Sequence, residues 1–98
     1  MDIKPILENI VGEIDAIKLY DNAIENCSDA HVIEVLTSIR DEERVHVGEL
    51  VYLALEVSPE LASKFLDGCR EAKELIASVN KEVKKDLSDE EEKKYVKK

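Results

Sequence analysis

Three side chains in this 98-residue sequence stand where a carboxylate or an imidazole has a use beyond solvation. Glu43 and His46 are three residues apart, the Glu-x-x-His spacing that puts both groups on one face of a helix. Glu13 lies three residues after Ile10, four before Ile17, seven after Ile6 and seven before Tyr20, so it projects from an apolar face. A charge in that setting is costly unless it is paired or bound to metal. Two carboxylates and an imidazole suit iron or manganese, and zinc competes for such ligands by raw affinity.

These residues need helices to hold them, and the hydrophobic spacing supplies three. From Ile3 to Glu25, Ile3, Ile10, Ile17 and Ile24 recur at seven-residue steps with Leu7 and Ile14 between them, a single apolar stripe. Pro5 falls in the first turn, where its missing N–H does no harm, and Asn26-Cys27-Ser28 ends the run. Ser28 or Asp29 can cap a second helix over 30–57, whose stripe reads Val32, Leu36, Ile39, Glu43, His46, Leu50, Leu53 and Val57. Ser58-Pro59-Glu60-Leu61 then supplies a cap, a first-turn proline and a fresh start.

The third helix is expected from Pro59 to about Val83, with Leu61, Phe65, Cys69, Ala72, Ile76, Val79 and Val83 on one face. Gly68 weakens it by about 1 kcal/mol relative to alanine. Ser88 followed three residues later by Glu91 resembles a capping box, so residues 84–98 read as a charged C-terminal tail or linker after a helical domain over 1–83. No internal repeat is evident.

The few residues between the first two helices force an antiparallel hairpin. Glu13 is twelve residues before Glu25 and Glu43 thirteen after Ala30, so at about 1.5 Å per residue their levels differ by only an ångström or two. One hairpin therefore gathers Glu13, Glu43 and His46 at a common depth. That set is half of a di-iron centre of the carboxylate-bridged kind, which takes a Glu from each of two helices and a Glu-x-x-His from each of two others. Two-fold pairing of hairpins would complete a four-helix bundle and bring all six ligands to the interface between subunits. Tyr20, two turns along from Glu13, can serve as a hydrogen-bond donor behind the ligands or as a packed core residue. His31, off the stripe, reads as a surface residue, and Asp15, Asp41 and Glu42 as a solvated face.

Composition narrows the remainder. Low glycine, proline and aromatic content argues for an all-helical chain, and a lone domain of this size buries only about 60–65% of its unfolded surface. The net charge of −9 is localised: residues 1–57 hold thirteen acids against four bases, and residues 58–98 hold ten of each. Acidic excess disfavours nucleic acid, whose phosphates need clustered Lys and Arg, and leaves cations or basic partners. No segment approaches the ~20 apolar residues of a membrane span, and no secretory leader pattern opens the chain. Cys27 and Cys69, 42 residues apart, match no metal or redox spacing and are expected to be buried and inert in a reducing, cytoplasmic setting.

The stretches Glu13-Ile14-Asp15-Ala16-Ile17-Lys18-Leu19-Tyr20-Asp21 and Ile39-Arg40-Asp41-Glu42-Glu43-Arg44-Val45-His46 resemble the two motifs of the ferritin-like superfamily, and specifically of encapsulated ferritins. The resemblance covers both helices of the hairpin. It implies a single-hairpin subunit, a ferroxidase centre between paired hairpins, assembly into a ring, and enclosure within an encapsulin shell. By position it implies that Glu13, Glu43 and His46 bind iron and that Tyr20 stands behind them. Leu19 takes the place of a tryptophan common in the family, and Gly12 that of an acidic residue. Some archaeal members are fused in front of the shell protein, and the charged end Tyr95-Val96-Lys97-Lys98 suits such a junction.

The expected activity is oxidation of Fe(II) to Fe(III) for storage and detoxification. Two other readings stand beside it. One is a non-catalytic oligomerisation module whose inward Glu and His set the register of an interface. The other is a rubrerythrin-like peroxidase, disfavoured because the chain has no Cys-x-x-Cys iron centre to deliver electrons.

Overall fold

In the computed structural model the backbone is described for residues 2–96 and the side chains for residues 2–88. Three helices follow one another: α1 (Lys4–Glu25), α2 (Ala30–Val57) and α3 (Pro59–Val96). Among the described residues no strand occurs, and no helix is long and apolar enough to cross a membrane.

The ends of the helices follow from local chemistry. Pro5 sits in the first turn of α1, and the Asp2 carboxylate accepts from the Lys4 N–H at 3.0 Å, satisfying one of the free donors of that end. Asn26 closes α1, its N–H donating to the Asn22 carbonyl at 3.2 Å. Of the two residues able to cap α2, Asp29 does so, accepting from His31 N–H at 2.9 Å and Val32 N–H at 3.2 Å. Ser58, in extended conformation, separates α2 from α3, and its hydroxyl accepts from Leu61 N–H at 3.1 Å.

The chain divides into two compact units, residues 1–62 and 63–98. The first is the antiparallel hairpin of α1 and α2 with the opening turn of α3. Its buried apolar residues are Ile6 at 8% exposure and Ala54 at 2%, so two packed helices shelter very little by themselves.

On α1, Ile3, Ile10, Ile17 and Ile24 are half-buried as the spacing requires, but Leu7 and Ile14 are exposed. Their place is taken by Ile6, Glu13 and Tyr20. On α2 the expected stripe is displaced. Leu36, Ile39, Glu43, Leu50 and Val57 are half-buried, whereas Val32, His46 and Leu53 are exposed. Ile33, Arg40, Val47 and Ala54 are covered instead. A stripe that steps by three and four spans several neighbouring tracks, and α1 covers the one that carries Arg40.

The second unit is a continuation of α3. The expected halt near Val83 and new cap at Ser88 do not form, because the helix runs unbroken through both positions. The boundary drawn after residue 83 thus falls inside a helix, and the division by contacts lies at 62/63. Leu61 of the expected face is half-buried, but Phe65, Ala72, Ile76, Val79 and Val83 are exposed, and so is Cys69, contrary to the buried thiol expected there. A single helix has no second element of its own unit to cover that face. Cys27, in the α1–α2 connection, is half-buried. The side chains of residues 95–98, where the shell junction was expected, lie outside the described residues.

Candidate metal centre

Glu13 projects from the middle of α1, and Glu43 and His46 from successive turns of α2. The imidazole Nδ1 of His46 lies 3.7 Å from Glu13 Oε1 and 3.6 Å from Glu43 Oε2. One ligand atom from each residue falls within a sphere of mutual separations no greater than 4.8 Å. These distances are too long for hydrogen bonds. They are close to what one cation needs, since metal–ligand bonds of about 2 Å hold adjacent donors roughly 3 to 4 Å apart. Two carboxylates and an imidazole, with no lysine or arginine among them, make a donor set that fits a divalent ion.

Exposure within the group is graded. The Glu43 and Glu13 side chains are 20% and 27% exposed, and His46 is 48% exposed. The carboxylates are therefore sheltered on the hairpin side, while His46 stands at its edge rather than within the helix contact. Beside it opens a groove of about 390 Å³ lined by Asn9, Glu13, His46, Glu49, Leu50 and Leu53. Leu50 and Leu53 give it an apolar floor. Asn9 is anchored by donating from Nδ2 to the Pro5 carbonyl at 2.7 Å.

Tyr20 is half-buried on α1, seven residues or about 10 Å along the axis from Glu13. No hydrogen bond joins its hydroxyl to Glu13, Glu43 or His46 among the described residues. His31 is exposed beside Asp29, as a surface residue should be. Asp15, Asp41 and Glu42 are exposed, and Asp41 faces Arg44 at 3.3 Å.

Two features escaped the reading of the sequence. Glu49 lines the groove one turn after His46, a position visible in the spacing but lost among the acids of α2. The second is Arg40, whose Nη1 donates to Asp21 Oδ1 at 2.8 Å across the hairpin. That hydrogen bond, with attraction to Asp21 and Asp41, raises the guanidinium pKa above its ordinary value despite partial burial. A signal for both residues existed. Asp21 continues the seven-residue steps of Leu7 and Ile14, and Arg40 those of Ile33, Val47 and Ala54.

No family model matches the chain, and no solved structure matches it. Among curated proteins it is similar to a ferritin-like–encapsulin shell fusion protein of Pyrococcus furiosus, with 38% identity over 66 residues. The aligned part is 67% of this chain but 19% of that relative. The chain thus spans about a fifth of the length of the curated relative it matches, a protein whose name joins a ferritin-like part to an encapsulin shell.

Proposed function

We propose that this chain is a ferritin-like subunit that oxidises Fe(II) to Fe(III) at a di-iron centre shared between two hairpins. The observation that carries the reading is the convergence of Glu13, Glu43 and His46 within 4.8 Å on a face left half-open. Three ligands are half of the six that a carboxylate-bridged di-iron centre uses, and a two-fold partner presenting the same three would supply the others. The exposed Leu53 and the apolar floor of the groove beside His46 favour such a partner, because a hairpin this thin gains a core by pairing.

Iron is the substrate here. Each of two ferrous ions gives up one electron, and dioxygen takes up both with two protons to leave as hydrogen peroxide; peroxide as oxidant would instead be reduced to water. Glu13 and Glu43 favour the product through their charge, since carboxylates stabilise Fe(III) more than Fe(II). His46 supplies an imidazole nitrogen to the same ion. Manganese or zinc would occupy the same donors without the redox step.

A hairpin has no interior in which to store mineral. We therefore also propose assembly into a homodimer and a larger ring, enclosed by an encapsulin shell in the cytoplasm as partner or fused neighbour. The similarity to a protein named for both parts supports that setting. A purely structural role for the inward Glu and His predicts oligomers that bind no iron.

The test is anaerobic Fe(II) titration of the purified chain, then admission of air while ferric absorbance is followed. Bound iron near one ion per chain, with oxidation faster than in buffer, is expected. Oligomers without bound iron would overturn the reading.

A further inference from the structure

The hairpin contains one polar contact that its apolar packing does not require. Arg40 is 19% exposed, as covered as Glu43, and it occupies the track of α2 that α1 covers. Its Nη1 meets Asp21 Oδ1 at 2.8 Å, a length typical of a charge-assisted hydrogen bond. Nη2 lies 3.5 Å from Asp41 Oδ1, which Arg44 approaches at 3.3 Å, so four charges of alternating sign run from α1 across α2. The Nε of Arg40 is closed off from solvent and has no acceptor. A buried donor without a partner is a cost, and an apolar side chain would fill this track without it.

What an apolar side chain would not do is choose a register. Ile10, Ile17 and Ile24 on α1 repeat every seven residues, as do Ile33, Val47 and Ala54 on α2 with Arg40 among them. Faces that repeat in this way pack almost as well after a slip of one repeat, seven residues or about two turns. Such a slip moves Glu13 by about 10 Å along the axis, well beyond the 4.8 Å spread of the ligand atoms, and removes it from Glu43 and His46. A directional hydrogen bond does not survive the same slip. Its geometry also uses the lean of helical side chains toward their own N-termini, which carries Arg40 toward the connection and Asp21 away from it until they meet.

We propose that Asp21 and Arg40 are the positioning pair of the metal centre, fixing α1 against α2 so that Glu13 stands level with Glu43 and His46. This rests on the function proposed above. Arg40 lies one turn before Glu43 and Asp21 directly after Tyr20, so the pair holds both helices close to the residues whose placement matters. Neither residue touches the metal in this assignment.

The test separates positioning from stability, with Co(II) as the probe. Arg40→Gln, Asp21→Asn, their double variant, and the apolar exchange Asp21→Leu with Arg40→Met are compared with the unmodified chain. Helicity and melting are measured without metal, and affinity and the visible Co(II) spectrum with it. Each single change is expected to weaken Co(II) binding by about tenfold or more and to alter the spectrum, with the double variant no weaker than either. The apolar exchange is the decisive arm, because it should melt no lower than the unmodified chain and still bind Co(II) weakly. An apolar exchange that binds with unchanged affinity and spectrum overturns the positioning role alone. An unmodified chain that binds no Co(II) overturns the metal centre and the pair with it.

Discussion

Residues 4–57 and 63–88 are built from the same kind of sequence, apolar residues stepping by three and four among abundant charges, yet they hold their side chains differently. In the hairpin, α1 and α2 cover each other. Ile10, Ile17, Ile24, Ile33 and Ile39 become half-buried, and Glu13, Glu43 and Arg40 are drawn out of full solvation with them. In α3 beyond Ala62 the large apolar side chains from Phe65 to Leu87 remain 46% to 67% exposed. Charge follows the same division, with the whole acidic surplus in the hairpin and balance after it. Apolar periodicity is thus a capacity for burial, which only a second element realises. Chemistry follows burial, because carboxylates are brought together against their repulsion only where helices converge.

The sharpest way to break this contrast is to remove the converging groups. Glu43→Ala with His46→Ala should reduce bound Fe(II) from about one ion per chain to none and abolish accelerated oxidation, since ligands are lost outright. The same pair of changes at Glu71 and Glu74 of α3, an acidic pair with no counterpart helix in its unit, should leave iron binding as it was. Metal analysis after gel filtration reads both.

A second contrast is energetic. Ile6→Ala, at a buried position of the hairpin, should lower unfolding free energy by about 2 to 4 kcal/mol. Phe65→Ala, half-exposed on α3, should cost under about 0.5 kcal/mol in the same urea titration. A large loss at Phe65 would show that its face is covered in solution, and would redraw the comparison.

Caps give a smaller effect. Asp29→Ala removes the acceptor of two N–H groups at the start of α2 and should cost about 1 kcal/mol, read as a lower melting midpoint. Smallest is Gly68→Ala, where a new methyl group meets nothing within 4 Å. It should stabilise α3 by up to about 1 kcal/mol and leave iron binding unchanged.

Much of the hairpin was legible in advance for a local reason. Pro5, Asp29 and Ser58-Pro59 mark helix ends through hydrogen bonds and backbone angles that need only near neighbours, and the observed bounds of α1 and α2 follow from them. The matching depth of Glu13 and Glu43 was legible too, because a short connection and a constant rise convert residue counts into heights. Past Val83 the same local reasoning misled. Ser88 has the chemistry of a cap, but a strongly helix-favouring context of Lys, Glu and Leu carries α3 through it.

The sequence by itself determined the number of helices, their order, the antiparallel sense of the first two, and the three donors that share a level. These depend on local helix-end signals, a short connection and a constant rise per residue. Only the tertiary structure decided the rotation of α2 about its axis, and that rotation places His46 at the edge, Glu49 in the groove and Arg40 in contact with Asp21. A stripe wide enough to offer several tracks leaves rotation open. The choice comes from packing and from one hydrogen bond between residues nineteen apart.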